Sequence, residues 1–154
     1  DRWHAAPMQL DASDFAALDD SGKLAVLEAL MLVVYADGKV TPDEIRRFDA
    51  IVTALPWGVG QDVLKALLQG ANERMATLTT PVAISDFVSN LATGLPGAAL
   101  REKVLYTMAT MAAADDVLHP FERNLLGLCV VSFNITSDRV KAIKAAVDAA
   151  RPGN

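Results

Sequence analysis

Shifting the sequence against itself by 78 positions places Asp37 on Asp115, Pro42 on Pro120 and Glu44 on Glu122. Over residues 23–57 and 101–135 the ungapped match also pairs Val26 with Val104, Leu27 with Leu105, Ala36 with Ala114 and Val52 with Val130. Seven identities in 35 positions would mean little if scattered, but four of them fall within nine residues. Each of those four sits at the same point of a helix-turn-helix. The pattern predicts a duplicated hairpin packed about a pseudo-twofold axis.

Helix punctuation recurs along the rest of the chain, and alternating strand patterns do not. Ser21 reads as the cap of a helix over 21–36. Thr41-Pro42-Asp43-Glu44 reads as N-cap, N1, N2 and N3 of the next, with Val40 and Ile45 placed as a hydrophobic staple. Further helices are expected over 61–75, from Thr80-Pro81 to about Gly94, from Pro96 to about Ala114, from Pro120, and from the Thr136 cap onward. A weak turn around 13–18 brings the total to seven or eight helices. The fold class is therefore all-α, a compact bundle built on the duplicated hairpin. Residues 1–20 form an N-terminal tail with a short helix, 21–150 the helical domain and 151–154 a C-terminal tail. Segments 24–36 and 104–114 are apolar nearly all round, as central helices wrapped by others must be. They should touch.

A chain of 154 residues can bury a core without staples. At 52% hydrophobic and 21% charged it is not disordered. The net charge is −5, and the nearest thing to a basic stripe is Arg139, Lys141 and Lys144, too little to hold a phosphate backbone. Nucleic acid is not an expected partner. The longest apolar stretch contains Glu28 and is shorter than the roughly 18 residues a span requires, so no membrane insertion is expected of this segment. No signal peptide is read at the start. The first residue is Asp1 rather than methionine, so a leader or anchor could lie outside the sequence. Cys129, the single cysteine, lies in an apolar run and is expected to be a buried, inert thiol. With His4 and His119 the only imidazoles, a Cys/His zinc site is not expected.

The repeated carboxylates admit two readings. Glu44 at N3 after a Thr N-cap is a capping box, which explains it in full. Glu122 is explained less well, because its N-cap position holds His119. Asp37 and Asp115 stand at the ends of apolar helices, where negative charge opposes the macrodipole unless an Asx-turn compensates. Alternatively each Asp faces the Glu seven positions later across the turn, and together they share a cation. Oxygen-only ligands favour a hard ion such as Ca²⁺, Mg²⁺ or Mn²⁺. Asp43 and Asp116 add carboxylates in the same turns. An EF-hand is excluded, since its twelfth loop position holds Phe48 or Leu126 rather than Glu.

The segments Tyr35-Ala36-Asp37-Gly38-Lys39-Val40-Thr41-Pro42-Asp43-Glu44 and Ala113-Ala114-Asp115-Asp116-Val117-Leu118-His119-Pro120-Phe121-Glu122 resemble the paired A-D-G-x-x-x-x-x-E signatures of the TerB-like family. That family takes in a bacterial tellurite-resistance protein and a domain of a membrane-anchored J-domain co-chaperone. The resemblance extends over roughly residues 23–150, and its specific part is these two motifs. It implies an all-helical fold and divalent-cation binding through Asp37, Glu44, Asp115 and Glu122. It also implies a role in tellurite resistance or a related bacterial stress response. A cytoplasmic setting follows, with a protein partner at the inner face of a membrane. The second copy departs from the signature at Asp116, where the family has Gly; this changes the loop geometry or adds a ligand.

Catalysis finds no support: no G-x-S-x-G, Walker loop or Gly-rich nucleotide fingerprint is present. A di-iron bundle would need Glu-x-x-His, but the residues three places after Glu44 and Glu122 are Arg47 and Leu125. No enzymatic activity is expected. The alternative to a cation-binding module is a helical protein-interaction domain whose acidic residues serve as caps, with Trp57 either in its contact surface or packed over a helix end.

Overall fold

A computed structural model describes residues 8–35, 40–113 and 120–150. Eight α-helices run through them: α1 (Ala12–Ala16), α2 (Asp20–Tyr35), α3 (Pro42–Ala54), α4 (Gln61–Met75), α5 (Pro81–Leu91), α6 (Ala98–Ala112), α7 (Pro120–Ser132) and α8 (Ser137–Ala150). A 3₁₀ turn, Ala92–Gly94, closes α5, and no strand occurs among the described residues.

Local chemistry sets most of the boundaries. Thr41 Oγ1 accepts from the Glu44 N–H at 3.2 Å, and Glu44 Oε1 accepts from the Thr41 N–H at 3.0 Å, the reciprocal capping box expected at the start of α3. Thr80 Oγ1 accepts from the Ala83 N–H at 3.1 Å and starts α5 at Pro81. Two starts differ from expectation. The N-terminal bond of α2 comes from Asp19, whose Oδ1 accepts from the Gly22 N–H at 2.8 Å, so Ser21 lies inside the helix instead of capping it. Helix α6 begins at Ala98, because Gly97 takes φ 94°, a left-handed value that cannot continue into a helix.

The centre is built by α2 and α6, which pack against each other. Buried residues run without a break from Ala25 to Val34 in α2, and α6 contributes Leu100, Val104, Leu105, Met108 and Met111. Helix α2 also packs on α3 and α4, and α6 likewise on α7 and α8, while α5 lies against α7. The 3₁₀ turn approaches α2 so closely that a Cβ at Gly94 would come within 2.9 Å of the Ala25 Cβ.

Short polar ties fasten the periphery. Lys103 on α6 reaches Asp14 at 2.9 Å and Asp11 at 3.5 Å, joining α1 to the centre. These contacts hold the ammonium above its usual pKa, chiefly through the Asp14 hydrogen bond. Hydrogen bonds from Ser13 and the Asp14 N–H bring Asp11 down to about 2. Arg101 donates from Nε to the Leu95 carbonyl and from Nη2 to the Ala92 carbonyl, satisfying the backbone where α5 ends. Trp57 is enclosed, at 4% exposure. Its Nε1 donates to the Val52 carbonyl at 2.8 Å, and its ring meets Phe15 at a centroid distance of 4.7 Å. It packs over the end of α3 and offers no exposed contact surface.

Candidate functional site

The first turns of α3 and α7 carry Glu44 and Glu122, the matched glutamates of the two hairpins. They line one small cleft together with Val33 and Val34 of α2, Met111 of α6 and Arg47 of α3. The floor is thus the crossing of the two central helices, and the acidic walls come from the helix that follows each. Glu44, Arg47 and Glu122 are all half-buried. The cleft measures about 10 Å³, close to the space one water molecule needs.

Helical spacing explains the arrangement. In α3, Glu44, Arg47, Phe48, Ile51 and Val52 follow one another at intervals of three and four or their neighbours, so they share the inward face. Phe48 and Val52 are buried on it. In α7 the corresponding series is Glu122, Leu125, Leu126, Cys129 and Val130, with Leu125 and Cys129 buried. The glutamates occupy the outermost turn of each face. There each side chain borders the apolar floor and is half-buried.

Glu44 serves two neighbourhoods. Its Oε1 takes the Thr41 N–H and, at 3.0 Å, the Thr41 hydroxyl. Those cap bonds all fall on one oxygen, and a carboxylate has a second with lone pairs of its own. Asp43 is elsewhere: it is exposed and ion-paired with Arg46, one turn along the same helix, and it does not line the cleft. Asp37, Asp115 and Asp116 lie outside the described residues. Among the described residues no three acidic, histidine or cysteine side chains gather as a metal cluster. The described part of the cleft therefore provides two carboxylates and one arginine.

A carboxylate pair without Cys or His fits a hard, oxygen-loving divalent ion, and two glutamates alone fall short of the six to eight oxygens Ca²⁺ takes. Cys129 is closed off from water, and its burial pushes the thiol up to about 12, which removes it as a ligand or nucleophile at neutral pH. Two features escaped the reading of the sequence. Arg47 lies in the cleft, a placement its helical register with Glu44 signals. Glu28 is the one buried charged residue among those described, and Arg74 Nε stands 2.9 Å from its Oε2. That N–H is not aimed for a hydrogen bond, so Oε2 accepts none and the contact is an ion pair. Only the apolar surroundings of Glu28 within α2 hinted at its burial.

The molecule is thus an all-helical bundle whose two central helices each lead into a helix opening with an acidic first turn. The family model described as tellurite resistance protein TerB matches residues 23–145, and the chain belongs to that family. No curated protein matches the chain, and no solved structure does. None of the helices among the described residues is long and apolar enough to cross a membrane.

Proposed function

We propose that this chain is a non-catalytic module that binds a divalent cation (Ca²⁺, Mg²⁺ or Mn²⁺) between two duplicated hairpins. The observation that supports it most is the meeting of Glu44 and Glu122: residues equivalent in sequence, on different helices, line one cleft. Two carboxylates brought together repel, and a shared cation relieves that repulsion. The matched packing of α2 on α3 and α4, and of α6 on α7 and α8, favours a duplicated unit with its site at the centre. In this reading Asp37 and Asp115, at the turns preceding the glutamates, complete the shell, and Asp116 adds a ligand on one side. Family membership supports a place in tellurite resistance or a related bacterial stress response, acting through a protein partner.

The competing reading, an adaptor domain whose glutamates are caps only, is favoured by one observation, the complete capping box of Glu44. Glu44→Gln separates the two. Glutamine also closes a capping box, so the cation-free protein should melt as before. If Glu44 is a ligand, the rise in melting temperature with cation should largely vanish in this variant, and in Glu122→Gln. The wild-type gain is about 2.7 kcal/mol when free cation stands 100-fold above Kd. A wild-type melting curve indifferent to Ca²⁺, Mg²⁺ and Mn²⁺ at roughly millimolar levels, the range of weak oxygen-ligand sites, would leave the adaptor reading standing.

A further inference from the structure

We infer that the groove between the α3–α4 turn and the first half of α4 docks a short peptide segment of a partner protein, one that carries a carboxylate beside its apolar side chains. This assignment rests on the part of the reading above in which the chain acts through a protein partner, and it does not depend on the cation site. The groove has a volume of about 420 Å³. Leu55 and Val59 of the turn and Leu64 and Leu68 of α4 wall it. Each packs against the core on one side and is half-buried. Trp57 lies beneath, at 4% exposure, and supports the floor without offering surface of its own. The α4 wall follows helical register: Gln61, Leu64, Lys65 and Leu68 stand at i, i+3, i+4 and i+7 and share a face.

Charge complementarity selects the occupant. The chain as a whole carries a net charge of −5, yet no acidic side chain lines the groove among the described residues. Of the described residues lining it, only Lys65 is charged. It is exposed, and its ammonium forms no ion pair or hydrogen bond with a described residue. Arg46, Arg74, Lys103 and Arg139, by contrast, each face a carboxylate of the chain itself. Gln61 opens α4 after Gly60, an N-cap with no side-chain bond, so the positive pole of this 15-residue helix also reaches the groove uncapped. Asp62, the acid of that first turn, lies off the lining face. A carboxylate is therefore favoured beside Lys65, and apolar side chains against the leucines. The rim sets the kind of molecule. Thr53, Pro56, Gln61 and Lys65 are all exposed, so the groove is open to water. A small amphiphile there falls short of the roughly 70–90% burial that drug-sized ligands reach in their sites. A peptide segment lays its side chains into the groove and keeps its backbone in solvent.

The test pans the full chain against a displayed library of random short peptides and titrates the enriched peptides calorimetrically as synthetic probes. Enriched sequences should set an Asp or Glu beside apolar residues. Lys65→Glu should weaken their binding roughly tenfold, because the reversal removes one exposed attraction and adds a repulsion of similar size. Lys65 is exposed, so the variant should melt as wild type does. Changing the peptide's acid to its amide should cost a similar factor and leave the Lys65 reversal nearly silent, the coupling that places the carboxylate beside this lysine. Replacing the peptide's apolar residues by serine should abolish binding with the protein itself unaltered. Peptides that bind wild type and Lys65→Glu alike overturn this groove and leave the partner reading standing. No enrichment on the wild-type chain overturns the groove and the partner reading together. Sedimentation that shows wild type, but not Lys65→Glu, as a dimer gives the groove to a second copy and overturns the peptide occupant.

Discussion

Within α2, Glu28 is shut off from water beside Arg74 of α4, whereas the matched position of α6 holds Tyr106, neutral and also buried. One helix further on, Arg47 of α3 lines the carboxylate cleft while its counterpart in α7, Leu125, belongs to the core. Matched by the 78-residue shift, the two halves differ in where charge is placed. The first half carries a buried acid and an inward arginine; the second has apolar or neutral groups at both places. The difference teaches that the apolar pattern is enough to build the hairpin, since the second half does so without those charges. The charges of the first half are additions to that pattern.

The largest effect belongs to what the halves share. Leu27 and Leu105 are matched by the 78-residue shift, and both are buried in the central pair of helices, at 0% and 3% exposure. Truncation to alanine removes the same buried atoms in each, at a cost of roughly 2–5 kcal/mol. Chemical denaturation of Leu27→Ala and Leu105→Ala should therefore give losses of similar size. A loss several times smaller at one of the two would show that the halves do not bear equally on the core, and the comparison would break there.

Glu28 tests the difference between the halves. Burial raises its carboxyl pKa above 4.5, and the neighbouring Arg74 opposes that shift without cancelling it. A carboxyl whose folded pKa lies above its unfolded value favours the folded state while protonated. Its contribution is fully present below the unfolded pKa and is lost as pH rises through the folded one. Glu28→Gln removes this dependence. The melting temperature of the variant, taken relative to wild type, should climb as pH is raised through that window and then level off. A relative melting temperature that falls instead would mean the Arg74 ion pair outweighs the cost of burial, and the acid of α2 would then be a stabilising element of the first hairpin.

How much of this was legible in the sequence follows from the range of the forces involved. The caps at Thr41 and Thr80 and the helix-opening proline Pro120 act within one turn, and α3, α5 and α7 start where these local signals put them. The start of α6 differs from the expected Pro96 for a local reason too: the positive φ of Gly97 delays the helix to Ala98. Trp57 depended on Phe15, which reaches it from a helix more than 40 residues earlier, and nothing near Trp57 announces that partner. The site divides in the same way. Glu44 and Glu122 were marked by their repeated position, but their meeting in one cleft is a product of how α2 and α6 cross. Asp43 looked like a further ligand because it neighbours Glu44 in sequence. On a helix, neighbours point about 100° apart, and Asp43 turns to solvent and Arg46.

That last pair gives the smallest and sharpest comparison. Arg46 and Arg47 are adjacent, yet only Arg47 faces the cleft; Arg46 and Asp43 pair on the exposed side of α3, each about 71% open to solvent. An ion pair so exposed is screened and contributes little, with a median of about 0–1 kcal/mol for such contacts. The second hairpin shows the same by example. Its matched positions hold Phe121 and Asn124, which cannot form the pair, and α7 still begins at the proline that corresponds to Pro42. Arg46→Asn installs the second hairpin's residue and should change stability by no more than about 0.5 kcal/mol. It should also leave the divalent-ion Kd where it is, since one exposed charge already paired with Asp43 acts weakly on the cleft. A tenfold shift in Kd from Arg46→Asn would mean that the overall charge of α3 acts on the site, and that exposed charge in this half is not the bystander its counterpart in α7 suggests.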